Sequence, residues 1–211
     1  MFAAEVNFHA ARRLTSLYIF ENAGEGYAID SPMFRELSQL FYDVAARSSI
    51  DAMVGVIQLS TASVAERLAI AYDIGFRRFQ VALPDWLTDG EPEVMSFFAD
   101  VSGDFPDCEF LHYNVGHAER QLAVVDYRRL ADAAPNLGAT KNASGGVDCA
   151  ADLKRTVPDL QHFFGEDNYL HGECSLLTTL GVLAPALTHQ YFEAGVAHYT
   201  SGSTNCIANF S

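Results

Sequence analysis

Residues 108–141 read CEFLHYNVGHAERQLAVVDYRRLADAAPNLGATK and contain the pattern of one β-α-β unit. The apolar, β-rich runs Cys108–Asn114 and Leu137–Lys141 predict two strands. Between them, a helical pattern over about Val125–Ala134 is stopped by Pro135-Asn136. Runs that are apolar almost throughout are typical of strands covered on both faces of a parallel sheet. This stretch therefore predicts two parallel strands connected by a helix.

The same alternation recurs along the whole chain. Further strands are predicted at Ser16–Phe20, Ala52–Gln58, Arg78–Leu83, Leu160–Phe164 and Gly195–Thr200. Further helices are predicted over residues 3–13, from Ser31 to about Arg47, from Ser63 to Gly75, over about Glu91–Val101 and over about Val147–Thr156.

Three of these helix ends have recognisable sequence signals. Ser31-Pro32 supplies an N-cap and a proline at the first helical position. Ser63 with Glu66 has the spacing of a capping box, and Gly75 is placed to close that helix.

The repeated β-α order predicts an α/β fold, a (β/α)8 TIM barrel in a single domain over residues 1–211. An open Rossmann sheet is less favoured, because no G-x-G-x-x-G follows the first strand. The pattern starts on a helix and yields seven strands. We therefore expect an incomplete barrel that lacks its first strand and its C-terminal helices.

The composition restricts the classes of partner. Apolar residues make up 49% of the chain and charged residues 19%, which allows a sizeable core. A formal net charge of -14 argues against nucleic acid or an anionic membrane as partner. The chain has four widely spaced cysteines, no apolar run of transmembrane length and no basic segment at its start. We therefore predict a cytoplasmic protein.

Lysine is rare here: Lys141 and Lys154 are the only two, beside eleven arginines. An amine can lose its proton and attack a carbonyl to form a Schiff base, whereas a guanidinium cannot. Lys141 stands at the end of a predicted strand and before a small-residue turn, which suggests a chemical role. The simpler alternative is a solvated lysine at the start of a loop.

In a TIM barrel, the C-terminal ends of the strands surround the active site. That rule selects Asn22–Glu25, Pro84–Trp86, Tyr113–Asn114, Lys141, Gly165–Asp167 and Thr200–Ser201.

Several of these segments resemble the dihydrodipicolinate synthase / N-acetylneuraminate lyase family of class I, Schiff-base aldolases. The likeness is carried by His112-Tyr113-Asn114, by Pro135-Asn136-Leu137-Gly138 and by Lys141-Asn142-Ala143-Ser144-Gly145. The resemblance implies that Lys141 forms an imine with a small-molecule 2-keto acid, such as pyruvate, and that Tyr113 transfers protons. We also expect a homo-oligomer when the protein is full length, and no cofactor. No metal is expected, because neither an H-E-x-x-H nor a paired-cysteine motif is present.

Further matches extend the resemblance over most of the chain. Gly24-Glu25, Leu83-Pro84-Asp85-Trp86 and Phe164-Gly165-Glu166-Asp167 lie where the family has its other strand-end motifs. By this likeness, Asn22, Ala23, Trp86 and Gly165 are expected to bind the substrate.

The chain also departs from the family pattern. Asn22 and Ala23 occupy the positions of a hydroxyl pair that relays protons, although backbone N–H groups there could still hold a carboxylate. Trp86 stands where the family has a tyrosine. Ala118 stands where the family has an arginine, and Arg120 could take the role of that arginine. These changes make dihydrodipicolinate synthase activity itself doubtful and point to a different second substrate.

Two alternatives remain open at this stage. One is a non-catalytic relative that keeps the barrel and binds a metabolite, favoured by Asn22-Ala23. The other is a phosphate-binding barrel enzyme, for which Ser201-Gly202-Ser203 is a faint match. Retention of both Lys141 and Tyr113 favours the Schiff-base enzyme.

Overall fold

The computed structural model describes residues 16–22, 24–84, 90–116, 118–142, 146–164 and 175–176, together with Ala4. The strands are β1 (Ser16–Ile19), β2 (Asp51–Gly55), β3 (Arg78–Val81), β4 (Glu109–Asn114), β5 (Leu137–Asn142), β6 (Gln161–Phe164) and β7 (Ser175–Leu176). The helices are α1 (Ser31–Arg47), α2 (Thr61–Ile74), α3 (Glu91–Ser102), α4 (Val124–Ala133) and α5 (Gly146–Thr156), and a short 3-10 helix spans Gly26–Ala28.

The strands form one sheet in which sequence order and spatial order coincide. β1 to β7 lie side by side in chain order, and every neighbouring pair is parallel. Between β1 and β6, each successive pair of strands is connected through a helix, as the sequence predicts. The predicted parallel β/α barrel architecture is therefore confirmed for the described part of the chain.

A single contact shows that the sheet curls toward a barrel. In a flat sheet, β1 and β5 would be about 19 Å apart, at about 4.8 Å per strand. The Lys141 amine on β5 nevertheless lies 3.1 Å from the Tyr18 hydroxyl on β1. Two side chains cannot cover the flat-sheet distance, so the intervening strands must bend around a common interior.

Six strands and five helices lie close to their predicted positions. β7 was missed, because a strand of two residues is too short to produce a periodic pattern. The strand predicted at Gly195–Thr200 lies outside the described residues. So does the helix predicted over residues 3–13, apart from Ala4.

Two predicted helix caps were wrong by one to three residues. At α1, the cap is Asp30, whose carboxylate accepts the Met33 N–H at 2.9 Å, and Ser31 is already helical. At α2, Ser60 rather than Ser63 is the cap, and its hydroxyl accepts the Ser63 N–H at 3.2 Å. In both cases a cap-forming side chain one to three residues upstream took the position. Gly75 closes α2 as predicted.

Apolar side chains pack on both faces of the sheet. The larger core lies between the sheet and the helices, and includes Phe34, Phe41, Val64, Leu68, Phe79, Phe98, Phe110, Leu130 and Leu153. A smaller cluster of Leu111, Ala139 and Phe163, with Met53 and Tyr113 packed against it, lies on the opposite face, inside the curled sheet. No helix in the described ranges is both long and apolar enough to cross a membrane.

Candidate active site

The pairing of β4 with β5 places the two predicted catalytic residues side by side. Tyr113 is the direct register partner of Lys141, and Asn114 is the partner of Asn142. Because side chains alternate along a strand, Tyr113 and Lys141 share the inner face of the sheet, while both asparagines face outward. Tyr113 and Lys141 thus lie at adjacent strand ends, as predicted.

The Lys141 side chain is buried and faces the Tyr113 ring. Lys141 is 9% exposed, and its amine lies 4.1 Å from the centroid of that ring. An amine above an aromatic face is attracted to it when it carries a charge. The simpler interpretation of Lys141 as a solvated loop residue is therefore wrong.

Tyr18 of β1 and Glu21, which follows that strand, also contact the amine. Glu21, just beyond the last residue of the strand, places a carboxylate oxygen 2.5 Å from the Lys141 amine. The Tyr18 hydroxyl lies 3.1 Å from the same amine and donates to the same carboxylate oxygen at 3.0 Å. Amine, carboxylate and phenol thus form a closed triangle, which we call the Lys141–Glu21–Tyr18 triad.

The triad is withdrawn from solvent. Tyr18 is 1% exposed and Glu21 is 5% exposed. A buried amine and carboxylate are tolerated only when they neutralise each other and are hydrogen-bonded. Here the phenol supplies the additional hydrogen bond, accepting from the amine while donating to the carboxylate. This arrangement is the one expected for a protonated lysine beside an ionised glutamate.

A strained backbone residue directs Glu21 toward the amine. Phe20 has φ 64°, a left-handed conformation that a bulky side chain rarely adopts. Its backbone is confined by two glycines. A Cβ on Gly55 would lie 2.2 Å from the Phe20 carbonyl oxygen, and one on Gly26 would lie 2.6 Å from the Phe20 Cβ. The close approach of Gly26 and Gly55 therefore permits the turn that points Glu21 inward.

Arg67 of α2 binds the chain segment that follows Glu21. Its guanidinium donates to the carbonyls of Gly26 and Ile29, each at 2.5 Å, and stacks 4.7 Å from the Phe34 ring centroid. Burial lowers the pKa of Arg67 from its ordinary value. The buried guanidinium thus ties the loop after β1 to a helix of the scaffold.

On the outer face of the sheet, a buried polar network fixes the ends of β4, β5 and β6. The Asn114 amide donates to Asn142 at 3.1 Å and to the Leu122 carbonyl at 3.0 Å, and accepts the Leu122 N–H at 2.9 Å. Asn142 donates to the Thr140 hydroxyl, which pairs with His162 at 2.8 Å. Because these residues alternate with Tyr113 and Lys141, the network holds, from the outer face, the strand ends that carry those two residues.

The histidines near the site are structural in the described part of the chain. His112 is buried, with Nδ1 2.9 Å from the Tyr127 hydroxyl, and burial lowers its pKa to about 3. His162 is also buried, with a lowered pKa. Both are hydrogen-bonded core residues. Within the described ranges, no group of three or more His, Cys, Asp or Glu side chains is arranged to hold a metal ion.

Only some of the other predicted site residues lie in the part of the chain that the structure describes. Asn22 is partly buried in the turn after β1, and its carbonyl accepts the Glu25 N–H at 3.0 Å. Ala23, Trp86 and Gly165 lie outside the described residues. Arg120 pairs with Asp126 at 3.1 Å, which places it in an ion pair at the start of α4.

Sequence reasoning missed Glu21 and Tyr18. The segment predicted from the strand ends begins at Asn22, because the family's hydroxyl pair aligns with Asn22 and Ala23. The strand ends at Ile19, so Glu21 stands at the same strand end. An acidic residue directly after an apolar strand was the available signal. For Tyr18, an aromatic residue inside a strand, the sequence offered none.

The comparisons with known proteins agree with this architecture. No family model matches the chain. A 4-hydroxy-tetrahydrodipicolinate synthase of Desulforamulus reducens is 24% identical over 216 residues, covering 97% of this chain and 72% of that protein.

Solved structures similar to the chain share its fold. A dihydrodipicolinate synthase of Aquifex aeolicus has a TM-score of 0.79 and 14% identity, with 95% of this chain and 70% of that chain covered. One of Bacillus anthracis has a TM-score of 0.80 and 18% identity, with coverages of 95% and 69%. An Escherichia coli K12 prophage protein of the family, in complex with pyruvate, has a TM-score of 0.79 and 17% identity, with coverages of 94% and 71%. In sequence and in fold, the chain thus resembles the dihydrodipicolinate synthase family of class I Schiff-base aldolases, as its motifs indicate.

Proposed function

We propose that this protein is a Schiff-base-forming lyase, an aldolase or dehydratase, that acts on pyruvate or a sugar-derived 2-keto acid. The observation that carries the proposal is the buried Lys141 amine, 4.1 Å from the Tyr113 ring at the ends of two paired strands. The similarity to the dihydrodipicolinate synthase family supports the same chemistry.

In the proposed reaction, the Lys141 nitrogen attacks the keto carbon of the substrate. The resulting iminium acts as an electron sink, which permits a neighbouring C–C bond to form or break or a hydroxyl group to leave as water. Tyr113 transfers protons to and from the intermediate oxygen and the substrate hydroxyl. Tyr113 and Lys141 are register partners on neighbouring strands, so both side chains face the interior of the curled sheet.

Substrate binding is proposed for the turn after β1 and for two positions that follow other strands of the sheet in the sequence. Backbone N–H groups at Asn22 and Ala23 would hold the carboxylate of the 2-keto acid. Trp86 and Gly165 would border the second substrate or the distal part of a longer one. The family resemblance also supports a cytoplasmic homo-oligomer.

A second candidate is a non-catalytic relative that binds a metabolite. Two observations favour it: the hydroxyl pair of the family is replaced at Asn22-Ala23, and Lys141 is engaged in a buried ion pair with Glu21. An ion pair of this kind can exist for structural reasons alone.

Borohydride trapping separates the two candidates. The chain is incubated with pyruvate and with a panel of sugar-derived 2-keto acids, reduced with borohydride and analysed by intact mass. A lyase gives a stable adduct with at least one compound, and Lys141→Arg gives none, because arginine keeps the charge but forms no imine. Lys154→Arg is the matched control and should be trapped like the wild type. Absence of any adduct from the wild type would support the non-catalytic relative.

A further inference from the structure

The family's hydroxyl pair is absent from the turn after β1, yet two other ionisable side chains, one in β1 and one just after it, contact the Lys141 amine. Glu21 and Tyr18 both contact the amine directly and contact each other, with all three distances between 2.5 and 3.1 Å. Asn22 and Ala23, which occupy the hydroxyl positions, are the next two residues in the chain. The departure from the family pattern is therefore accompanied by two polar groups, in β1 and just after it, that contact the amine.

The charge state that the triad favours creates a chemical requirement. A protonated amine has no lone pair to attack a carbonyl, and the carboxylate, the phenol and the Tyr113 ring all stabilise the protonated form. Lys141 must therefore give up a proton before it can react. Glu21 is the acceptor in contact with it, and both groups are nearly closed to bulk water.

From this geometry we infer that Glu21 is the general base that activates Lys141, and later the acid that expels water from the carbinolamine. The inference rests on the proposed Schiff-base function. Tyr18 contributes by holding the carboxylate and by contacting the same nitrogen.

The protons balance over the proposed series of reaction steps. First, the Lys141 ammonium transfers one proton to Glu21. The nitrogen lone pair then forms a C–N bond to the keto carbon while the C=O π electrons move to oxygen, and one proton passes from nitrogen to that oxygen through a phenol. Glu21 next returns its proton to the hydroxyl group. The C–O bond breaks, water leaves and the nitrogen lone pair forms the C=N bond of the iminium, so Glu21 is again a carboxylate.

Glu21 is suited to both steps because the iminium keeps a positive charge on the same nitrogen. Its carboxylate pairs with the ammonium before the reaction and with the iminium after it. Glu21 need not move far between the two states, since it is fixed by Phe20, Gly26 and Gly55 on the backbone side and by Tyr18 on the side-chain side.

The test measures the rate of imine formation by rapid-quench borohydride trapping with the 2-keto acid that the wild type traps best. Glu21→Gln keeps the shape of the side chain and removes its basicity. We expect trapping at pH 7 to slow by about 10²–10⁴-fold, with no loss in apparent affinity, since removal of a negative charge does not weaken the binding of an anion. Glu36→Gln, which neutralises an exposed carboxylate of α1, is the matched control and should react like the wild type.

The pH profile distinguishes a base from a structural partner. Without Glu21, the amine must lose its proton to solvent, so the trapping rate of Glu21→Gln should rise about tenfold per pH unit at neutral pH and approach the wild-type rate in alkali. Glu21→Asp should keep the wild-type profile at a reduced rate, and Tyr18→Phe should slow trapping less than Glu21→Gln. Circular dichroism and unfolding curves identify any variant that fails to fold. If Glu21→Gln fails to fold, the pH profile of Glu21→Asp distinguishes a base from a structural partner.

Two outcomes would overturn the inference while leaving the proposed function intact. Unchanged trapping in Glu21→Gln would show that Glu21 takes no part in the chemistry. Faster trapping would show that the ion pair holds the amine in its unreactive, protonated form. If the wild type itself forms no adduct, the proposed function fails, and this inference fails with it.

Discussion

The two sides of the candidate site come from strand ends with different relations to the family. At the ends of β4 and β5, Tyr113 and Lys141 keep the motif residues and pair directly in register. At the end of β1, the motif is altered, yet Glu21 and Tyr18 contact the amine at 2.5 and 3.1 Å. A retained motif therefore predicts the nucleophile, whereas the residues proposed to control its protonation are found only from the geometry.

The first prediction separates the roles of the two phenols, and it has the largest expected effect. Tyr113→Phe should leave imine trapping possible while slowing turnover by about two to four powers of ten, because the proton shuttle of the later steps is lost. Tyr18→Phe should act mainly on trapping. Steady-state turnover and rapid-quench trapping, measured on both variants, test the division.

Tyr72→Phe is the matched control for this pair, since it removes a phenol that bonds Asp107 on the outer surface. It should change neither rate. If Tyr113→Phe turned over like the wild type, the β4 side of the site would have no proton-transfer role.

The second prediction concerns what the ion pair contributes to stability. Glu21→Leu should lower the free energy of unfolding by about 3–5 kcal/mol, because it leaves the Lys141 charge buried without its carboxylate. The double variant Glu21→Leu/Lys141→Met should regain most of that loss, since an apolar pair of similar size needs no charge compensation. Urea unfolding of the four proteins in the cycle gives the coupling energy. Strictly additive losses would mean that the two charges do not interact.

These comparisons show which parts of the site the sequence can predict. Lys141 and Tyr113 were found because both their chemistry and their spacing are encoded locally, in a single β-α-β unit. Tyr18 and Glu21 meet Lys141 only because the sheet curls and brings together residues 123 and 120 positions apart in the chain. No local sequence pattern records that closure. The strands themselves were predictable from apolar runs, while cap positions at Asp30 and Ser60 were not, because several neighbouring polar residues could serve equally well.

The third prediction compares the two ends of the barrel strands. Asn114→Ala should lower the free energy of unfolding by about 1–3 kcal/mol, since it leaves the Leu122 N–H and carbonyl without their buried partner. It should also slow trapping, because Asn114 steadies the strand end that carries Tyr113.

Asn136→Ala provides the control at the opposite end of the sheet. Asn136 precedes β5 and donates to the carbonyls of Ser102 and Phe105. The Asn136→Ala variant should lower the free energy of unfolding about as much as Asn114→Ala does, without affecting the trapping rate. Equal effects of both variants on trapping would show that the site responds to overall stability rather than to its local network.

The fourth prediction uses the buried His112 on the outer face of β4. Its pKa is lowered to about 3 by burial, so below about pH 6.5 the unfolded chain binds a proton that the folded chain does not. The free energy of unfolding should therefore fall with decreasing pH, by at most about 1.4 kcal/mol per pH unit from this residue. His112→Gln should flatten the slope between pH 6.5 and 4.5, and the lowered pKa of His162 should leave a residual slope. An unchanged slope in His112→Gln would mean that His112 takes up its proton in the folded state.

The most direct test of the central claim is to map the site of the borohydride adduct. The wild-type chain is reduced in the presence of the 2-keto acid that it traps, digested and sequenced by tandem mass spectrometry. We predict a single modified residue, Lys141, carrying the reduced substrate on its side-chain nitrogen. Modification of Lys154 or of the chain's amino terminus instead, or no modification at all, would contradict the assignment of Lys141 as the Schiff-base nucleophile.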